Sequence, residues 1–382
     1  ILLILAINRV QNVCRAPLAC KDENRFNLSP EALLSFYDEK KMLNLARYRA
    51  SYFNSSHVGD IYLLDNESER ATDAAIFEMN QPALSVLIPV HTGPSEAAKH
   101  AIRSIILQPI EEYQDHDGRR KEYGTYEQLR LSPMQIVLVD DRCNDGSINT
   151  MMDTIKNIAS EFSFLHVAIQ DYRQGNEHTY GVWDSLQDGI MLAVYIVSSP
   201  RPGVAAALNH GLTYCRSHLV ARMDADDIAE TGRLISQTEA LRFQPKLNVV
   251  GASVLLFRQD SVDSTRSQNS NATRMDTRSL PYSSYVSTEH KSNMNVFPSL
   301  PPTDPGFASW CMLFSCSVAH PSVMYRKEVI MTAGGYDESC LYAEDYELWL
   351  RLTLRTCSSL TSIPNIGLWH RKHRCSSPRT SK

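Results

Sequence analysis

The chain has 382 residues, 43% hydrophobic and 21% charged, which is enough for one large domain or two ordinary ones with a real core. Its formal net charge of -5 excludes the strong basic field that nonspecific nucleic-acid binding requires. The nine cysteines are scattered without a CxxC pair, which argues against a zinc site and favours reduced thiols.

Residues 1–7 are apolar but too short to span a bilayer, and are compatible with the tail of a signal peptide or anchor. Ser29-Pro30-Glu31 has the chemistry of a helix start, and residues 32–52 carry apolar side chains at helical spacing. Residues 1–81 are therefore expected to form a partly helical N-terminal extension without catalytic groups. Asn27, Asn54, Asn66 and Asn271 each open a glycosylation tripeptide, but matches are common in a chain so rich in Asn, Ser and Thr and assign no compartment.

Leu84-Ser85-Val86-Leu87-Ile88-Pro89-Val90 reads as the first buried strand, with Pro89 marking where the chain leaves the sheet. A helix is expected over 95–107, then a polar inserted segment over 109–133. Gln135-Ile136-Val137-Leu138-Val139 is a second strand, ending in Asp140-Asp141 with Asp145-Gly146-Ser147 just beyond. Helix 147–162 and a strand over 164–169 follow. This strand–helix alternation predicts an α/β fold whose central sheet is mostly parallel, with helices on both faces. Residues 171–200 break the alternation and read as another insertion.

Helix 203–215, containing Asn209 and Gly211, leads to a short apolar strand, His218-Leu219-Val220-Ala221-Arg222, and then to Met223-Asp224-Ala225-Asp226-Asp227. Three carboxylates thus fall within four residues at a strand end, where open α/β sheets bind ligands. Packed carboxylates repel, so such a cluster either holds a cation or stands in water as an acidic turn. If the backbone stays extended, Asp224 and Asp226 point the same way, and hard oxygen ligands of that kind suit Mg²⁺ or Mn²⁺.

Helix 231–243 and an apolar run over 249–257 come next. Residues 260–305 are rich in Ser, Thr and Asn, a composition expected of a flexible insertion. Order is expected to resume at Trp310-Cys311-Met312-Leu313-Phe314 and His320-Pro321-Ser322-Val323-Met324. Gly334-Gly335-Tyr336 is a turn, and Glu344-Asp345 opens a helix at its positive end. The chain closes with a short strand near Ile363 and a basic end, His370-Arg371-Lys372-His373. His370, Arg371 and His373 have two readings, contact with a diphosphate or metal and a solvated basic end. Residues 374–382 form a tail.

The order of these pieces resembles the inverting nucleotide-sugar transferases of glycosyltransferase family 2, which have the GT-A (Rossmann-like) fold. The resemblance rests on Val86 to Val90, Val139-Asp140-Asp141 with Asp145-Gly146-Ser147, the Gly203 to Gly211 helix, Ala221 to Asp227, His320-Pro321-Ser322-Val323, and Gly334 through Trp349. It implies a GT-A domain over 82–373 with the insertion near 260–305 inside it. By resemblance, the Pro89-Val90 turn, Asp141, Asn209 and Asp224-Ala225 would bind the nucleotide sugar, UDP-linked in the first instance. Asp226 would hold a divalent cation, Mg²⁺ or Mn²⁺, and Asp345, helped by Glu344, would be the catalytic base. The partners would be a nucleotide-sugar donor and a hydroxyl acceptor, and the reduced thiols favour the cytoplasm or a membrane surface facing it. Arg142-Cys143-Asn144 departs from the small-residue turn common after the paired Asp, and the inserted segments obscure the acceptor site.

The residue types suit that chemistry. A departing nucleoside diphosphate gathers negative charge, which a cation stabilises, and an attacking hydroxyl needs a carboxylate to take its proton. Two alternatives stand beside this reading. One is a Mg-dependent phosphatase with an Asp-x-Asp nucleophile, although that motif normally opens its domain. The other is a non-catalytic nucleotide-sugar-binding module of the same fold.

Overall fold

A computed structural model describes residues 82–93, 95–113, 131–173, 178–180, 189–258, 295–340, 342–355 and 359–372. The expected N-terminal extension, most of the insertion near 260–305 and the C-terminal tail lie outside them.

The first strand, β1 (Leu84–Val90), shows why the sheet is buried on both sides. Leu84, Val86, Ile88 and Val90 enter one apolar cluster and Leu87 enters another, as the two-residue period of a strand dictates. Parallel to β1 on one side runs β2 (Met134–Asp140), and on the other β6 (Leu219–Arg222). Beyond β2 lie β5 (Ile190–Ser198) and β3 (Leu165–Asp171), again parallel, with the short β4 (His178–Tyr180) antiparallel at the edge. Beyond β6 the order continues through β10 (Met324–Arg326), β8 (Leu247–Arg258), β11 (Ser359–Arg371) and β7 (Ile228–Ala229), while β9 (Asn295–Ser299) pairs with β8.

The pairings make β3, β5, β2, β1, β6, β8 and β11 run one way. The sheet is thus mixed with a mostly parallel centre, as expected. The first two parallel connections leave β1 for β2 and then β6 returns to its other side, so the ligand-binding crevice of such a sheet falls at the carboxyl ends of β1, β2 and β6.

Helices cover both faces. On one, α1 (Ser95–Tyr113) and α2 (Ser147–Glu161) pack Ala101, Ile105, Ile148, Met151, Ile155 and Ile158 against the sheet. On the other, α3 (Val204–Tyr214) lies so close that a Cβ at Gly211 would collide with Leu87 and Val139. That approach sets the N-terminus of α3 over the strand ends. Adding a methyl group there would overpack the contact, which typically costs about 1–3 kcal/mol. The remaining helices are α4 (Arg233–Phe243), α5 (Pro305–Cys311), α6 (Lys327–Thr332) and α7 (Glu344–Arg355), with a 3-10 turn at His320–Ser322.

Several expectations are corrected. Residues 171–200 are not simply an insertion: Ile190–Ser198 is an interior strand, buried through Val197. Its unbroken apolar run is what a parallel strand covered on both faces requires. The segment from 109 is not inserted at its start, because α1 runs through Pro109 to Tyr113. Residues 295–305 are ordered, since β9 adds to β8 and the Asp304 carboxylate accepts the Phe307 N–H as the N-cap of α5. The strand near Ile363 spans thirteen residues, from Ser359 to Arg371. Cys340 is disulfide-bonded, whereas Cys143, Cys215, Cys311 and Cys316 are free. The bond removes the redox argument for a cytoplasmic compartment. Among the described residues no helix is long and apolar enough to cross a membrane.

Candidate active site

The loop after β1 and the loop after β2 are tied together by backbone. The Asp141 N–H donates to the Val90 carbonyl at 2.9 Å, and His91 Nδ1 lies 2.7 Å from the Asp141 carbonyl. Asp145 adds a second tie, accepting from the Gly93 N–H and, at 3.0 Å, from the Ser147 N–H. Burial opposes its ionisation, but these bonds and one from the Cys143 thiol hold its carboxyl well below the usual range. Arg142 turns the chain here in a left-handed conformation, φ 60°, and its Nη1 reaches Asp141 Oδ1 at 3.1 Å. The other Asp141 oxygen accepts the Gly203 N–H at 3.0 Å, just before α3 begins.

These ties frame a cavity of about 290 Å³, at the small end of the ligand-site range. Pro89, His91, Thr92, Gly93, Asp141, Ser147 and Val204 line one part, and Asp224, Ala225 and Asp226 line the other. Ser147 and Val204 are the first residues of α2 and α3, so two helix N-termini border the cavity, an arrangement that favours anions.

Of the expected nucleotide-sugar residues, Pro89, Asp141, Asp224 and Ala225 meet here, together with Asp226. Val90 does not line the cavity: its side chain is in the core and its contribution is the carbonyl that Asp141 uses. Asn209 is also elsewhere. Its Oδ1 accepts the Tyr336 N–H at 2.8 Å, and its Nδ2 donates to the Tyr336 carbonyl at 2.9 Å and to Glu338 Oε1 at 3.1 Å. Gly335, at φ 73°, lets this contact form, since a Cβ there would fall 2.5 Å from Asn209 Oδ1. Asn209 therefore clamps the turn that leads into α7.

The acidic turn differs from the extended segment that the sequence suggests. The chain bends at Ala225-Asp226, and both Asp224 and Asp226 still face the cavity. Asp227 is fully buried instead. It accepts from the Arg371 N–H at 2.8 Å and pairs with His370 Nδ1 at 2.9 Å, while Arg371 Nε donates to the Asp226 carbonyl at 3.0 Å. Residues 370 and 371 are thus the end of β11, not a solvated basic end; His373 lies outside the described residues. Burial raises the Asp227 carboxyl; burial opposes the His370 imidazolium, but the Asp227 carboxylate beside it raises its pKa above the ordinary value.

Ligand atoms of Asp224, Asp227 and His370 lie within 4.8 Å of one another. Carboxylate oxygens with one imidazole suit Mn²⁺ and similar divalent ions, so this donor set fits one. Asp226, the expected ligand, borders the cavity beside that group. Of the two readings of His370 in the sequence, metal contact agrees with this grouping, but its pairing with Asp227, 143 positions away, is not visible locally.

The second acidic group stands at the start of α7. Glu344 and Asp345 lie in its first turn, and Asp345 Oδ1 accepts the Tyr346 N–H at 2.7 Å. His320 Nδ1 is 3.9 Å from Asp345 Oδ2, and its Nε2 is 3.1 Å from the Tyr336 hydroxyl. The rings of His320, Tyr336, Tyr325 and Trp349 form the floor. Burial lifts the carboxyls of both Glu344 and Asp345, and burial together with Arg222 keeps His320 neutral. Arg222 ends β6, buried, its Nη2 2.5 Å from Asp224 Oδ1.

Residues 154–319 match the model of glycosyl transferase family 2. Over that stretch the chain matches a family 2 glycosyltransferase domain. The match includes the Asp224–Asp226 turn, starts after Asp141 and stops one residue before His320. The transferase domain is similar to the bifunctional glycosyltransferase pgtA of Dictyostelium discoideum, 23% identical over 242 residues, covering 61% of this chain and 31% of that protein. It is also similar to the amylovoran biosynthesis glycosyltransferase AmsE of Erwinia amylovora, 29% identical over 150 residues, covering 39% and 44%. The chain thus spans less than half the length of these curated relatives. Among solved structures, the mannosyltransferase PcManGT of Pyrobaculum calidifontis, in complex with GDP-Man and Mn²⁺, aligns with a TM-score of 0.42 at 11% identity, over 98% of this chain and 70% of that one.

Proposed function

We propose that the protein transfers a sugar from a nucleotide-sugar donor to an acceptor hydroxyl, by one displacement that inverts the anomeric centre. One observation carries this reading: the fold gathers Pro89, Asp141, Asp224, Ala225 and Asp226 around one cavity at the strand ends, next to a separate carboxylate pair on α7. A UDP-linked donor is further supported by another relative, the UDP-Gal:alpha-D-GlcNAc-diphosphoundecaprenol beta-1,3-galactosyltransferase of Escherichia coli, 29% identical over 161 residues, 41% of this chain and 45% of that protein.

In this reading the base and ribose lie against the Pro89 turn and Asp141, with Asp224 and Ala225 on the far wall. The N-termini of α2 and α3 favour the diphosphate. Asp226, with Asp224, Asp227 and His370, would hold a divalent cation, which when bound supplies positive charge for the leaving diphosphate. Asp345 takes the acceptor proton, and Glu344 supports it. Its raised pKa makes it a better proton acceptor than an ordinary carboxylate once ionised. We assign this activity to one domain over 82–373. The intact acidic groups at both places favour an enzyme over a binding module, and the family match favours a transferase over a phosphatase.

A thermal-shift screen with Mn²⁺ and a panel of UDP- and GDP-sugars tests the reading. A donor that binds the native state raises the melting temperature with the logarithm of its excess over Kd. A nucleotide-sugar-specific, Mn²⁺-dependent rise is expected; no rise with any donor overturns the assignment.

A further inference from the structure

The outer side of α5 carries aromatic rings that neither the donor cavity nor the carboxylate pair uses. Phe307, Trp310 and Phe314 are 54%, 54% and 37% exposed, although each is a side chain that would gain by burial. They recur at i, i+3 and i+7, so they share one side of the helix and of the turn that follows it. Ala308 and Met312 take the opposite side into the core. Phe307 and Trp310 lie nearly parallel, at 14° and 5.9 Å between centroids, and Phe314 continues the strip 4.9 Å from Trp310. Contiguous exposed rings of this kind mark a binding surface.

The Phe314 end of the strip is tied to the helix that carries the proposed base. The Tyr346 hydroxyl donates to the Met312 carbonyl at 2.8 Å, two residues before Phe314, and the Tyr346 N–H donates to Asp345. Six residues beyond Phe314 the chain reaches His320, whose Nδ1 is 3.9 Å from Asp345 Oδ2. Charge narrows the occupant. From Asn295 to Ala319 the sequence holds one charged residue, Asp304, and its carboxylate is engaged as the N-cap of α5. Without Lys or Arg, that stretch has nothing to draw anionic lipid headgroups or nucleic-acid phosphates, and Glu344 and Asp345 would repel them. An uncharged sugar suits exposed aromatic rings. Its C–H groups carry partial positive charge and meet the negative ring face, while Trp310 adds an indole N–H for a hydroxyl.

We propose that Phe307, Trp310 and Phe314 form an acceptor platform that holds an uncharged saccharide chain by its ring faces and leads its terminal hydroxyl to Asp345. The inference rests on the glycosyltransferase reading and deepens it by naming the acceptor class. Three rings in a row suit an oligosaccharide better than a single sugar.

The test compares the wild type with Trp310→Ala and Trp310→Phe in the full chain. Half-saturation on an array of neutral and acidic oligosaccharides reads the platform. Sedimentation with zwitterionic and anionic phospholipid vesicles reads a membrane contact, light scattering reads self-association, and calorimetry of UDP with Mn²⁺ reads the donor side. The wild type should bind neutral oligosaccharides. Trp310→Ala should weaken that binding about three- to tenfold, the scale of one aromatic contact, and Trp310→Phe should recover most of it. The melting temperature should hold in both variants, since an exposed side chain is exchanged. A purely structural role would instead lower it without a selective loss of glycan binding.

A wild type that binds no neutral oligosaccharide, or binding that Trp310→Ala leaves intact, overturns the proposal. So does vesicle binding or self-association that Trp310→Ala abolishes while neutral glycans are ignored, which would make the strip a membrane or subunit contact. A wild type that binds UDP with Mn²⁺ but no glycan refutes the platform alone. One that binds no nucleotide or nucleotide sugar refutes the glycosyltransferase reading, and the acceptor role with it.

Discussion

The two halves of the site solve different problems with the same residue types. On the proposed donor side, Asp224 and Asp226 sit half-buried on a turn at a strand end, facing a cavity bordered by helix N-termini. Water and a ligand can reach them, so their charge is available for binding. On the acceptor side, Glu344 and Asp345 open a helix over a floor of aromatic rings, where burial lifts both carboxyls. Side-chain exposure is nearly equal, 28% at Asp224 and 24% at Asp345, so what distinguishes the proposed roles is the surroundings, helix N-termini around a cavity against packed aromatic rings, and not the identity of the side chain.

The largest expected effect separates the halves most cleanly. Asp345→Asn keeps the shape but cannot accept a proton, so transfer or donor hydrolysis should fall by roughly 10²-fold or more, in kcat. Affinity for UDP with Mn²⁺ should be unchanged by calorimetry. A mutant that loses UDP binding as well would merge the two halves and make Asp345 a donor-side residue. The converse substitution, Asp226→Ala, should abolish the Mn²⁺-dependent part of UDP binding while leaving the melting temperature nearly unchanged, because a half-buried carboxylate in a cluster of like charges is removed. Metal-dependent affinity equal to wild type would exclude Asp226 as a ligand and leave Asp224, Asp227 and His370.

Asn209 sharpens the comparison from outside the cavity. Removing its clamp in Asn209→Ala frees the Tyr336 turn and should cost about 1–3 kcal/mol in denaturant unfolding, the scale of buried groups left unpaired. UDP affinity should persist, since the clamp serves α7 and not the cavity. Loss of UDP binding without loss of stability would restore Asn209 to the donor site.

The smallest effect is on stability against pH. A carboxyl whose folded pKa lies above its unfolded value contributes stability at low pH, and that contribution is lost as pH rises through the folded pKa. Asp345 is such a group. Asp345→Asn should therefore melt higher than wild type at pH 7 to 8, and the gain should shrink as pH falls through the raised folded value toward the ordinary 3.9 or so. A gain that grows on acidification would mean that Asp345 is stabilised as a charge in the fold, contrary to its buried setting.

Much of this was legible in the chain. A short, nearly continuous apolar run marked β1, and Asp140-Asp141, Asp224-Ala225-Asp226 and Glu344-Asp345 stood out because strand ends and helix starts are where carboxylates are tolerated and used. The interior strand Ile190–Ser198 was passed over because a uniformly apolar run has no period to display. The ordered stretch 295–305 was absorbed into its polar neighbour because β9 depends on pairing with β8 and not on its own composition.

The sequence by itself determined the α/β alternation and the positions of the three acidic groups, because periodicity and turn chemistry are local. Only the tertiary structure decided what each acid does. Asp227 and His370 meet across 143 positions at the end of β11, Asn209 holds the Tyr336 turn and not the cavity, and Arg222 stands buried against Asp224. These roles depend on which long-range neighbour removes water from a charge, and no local pattern records that.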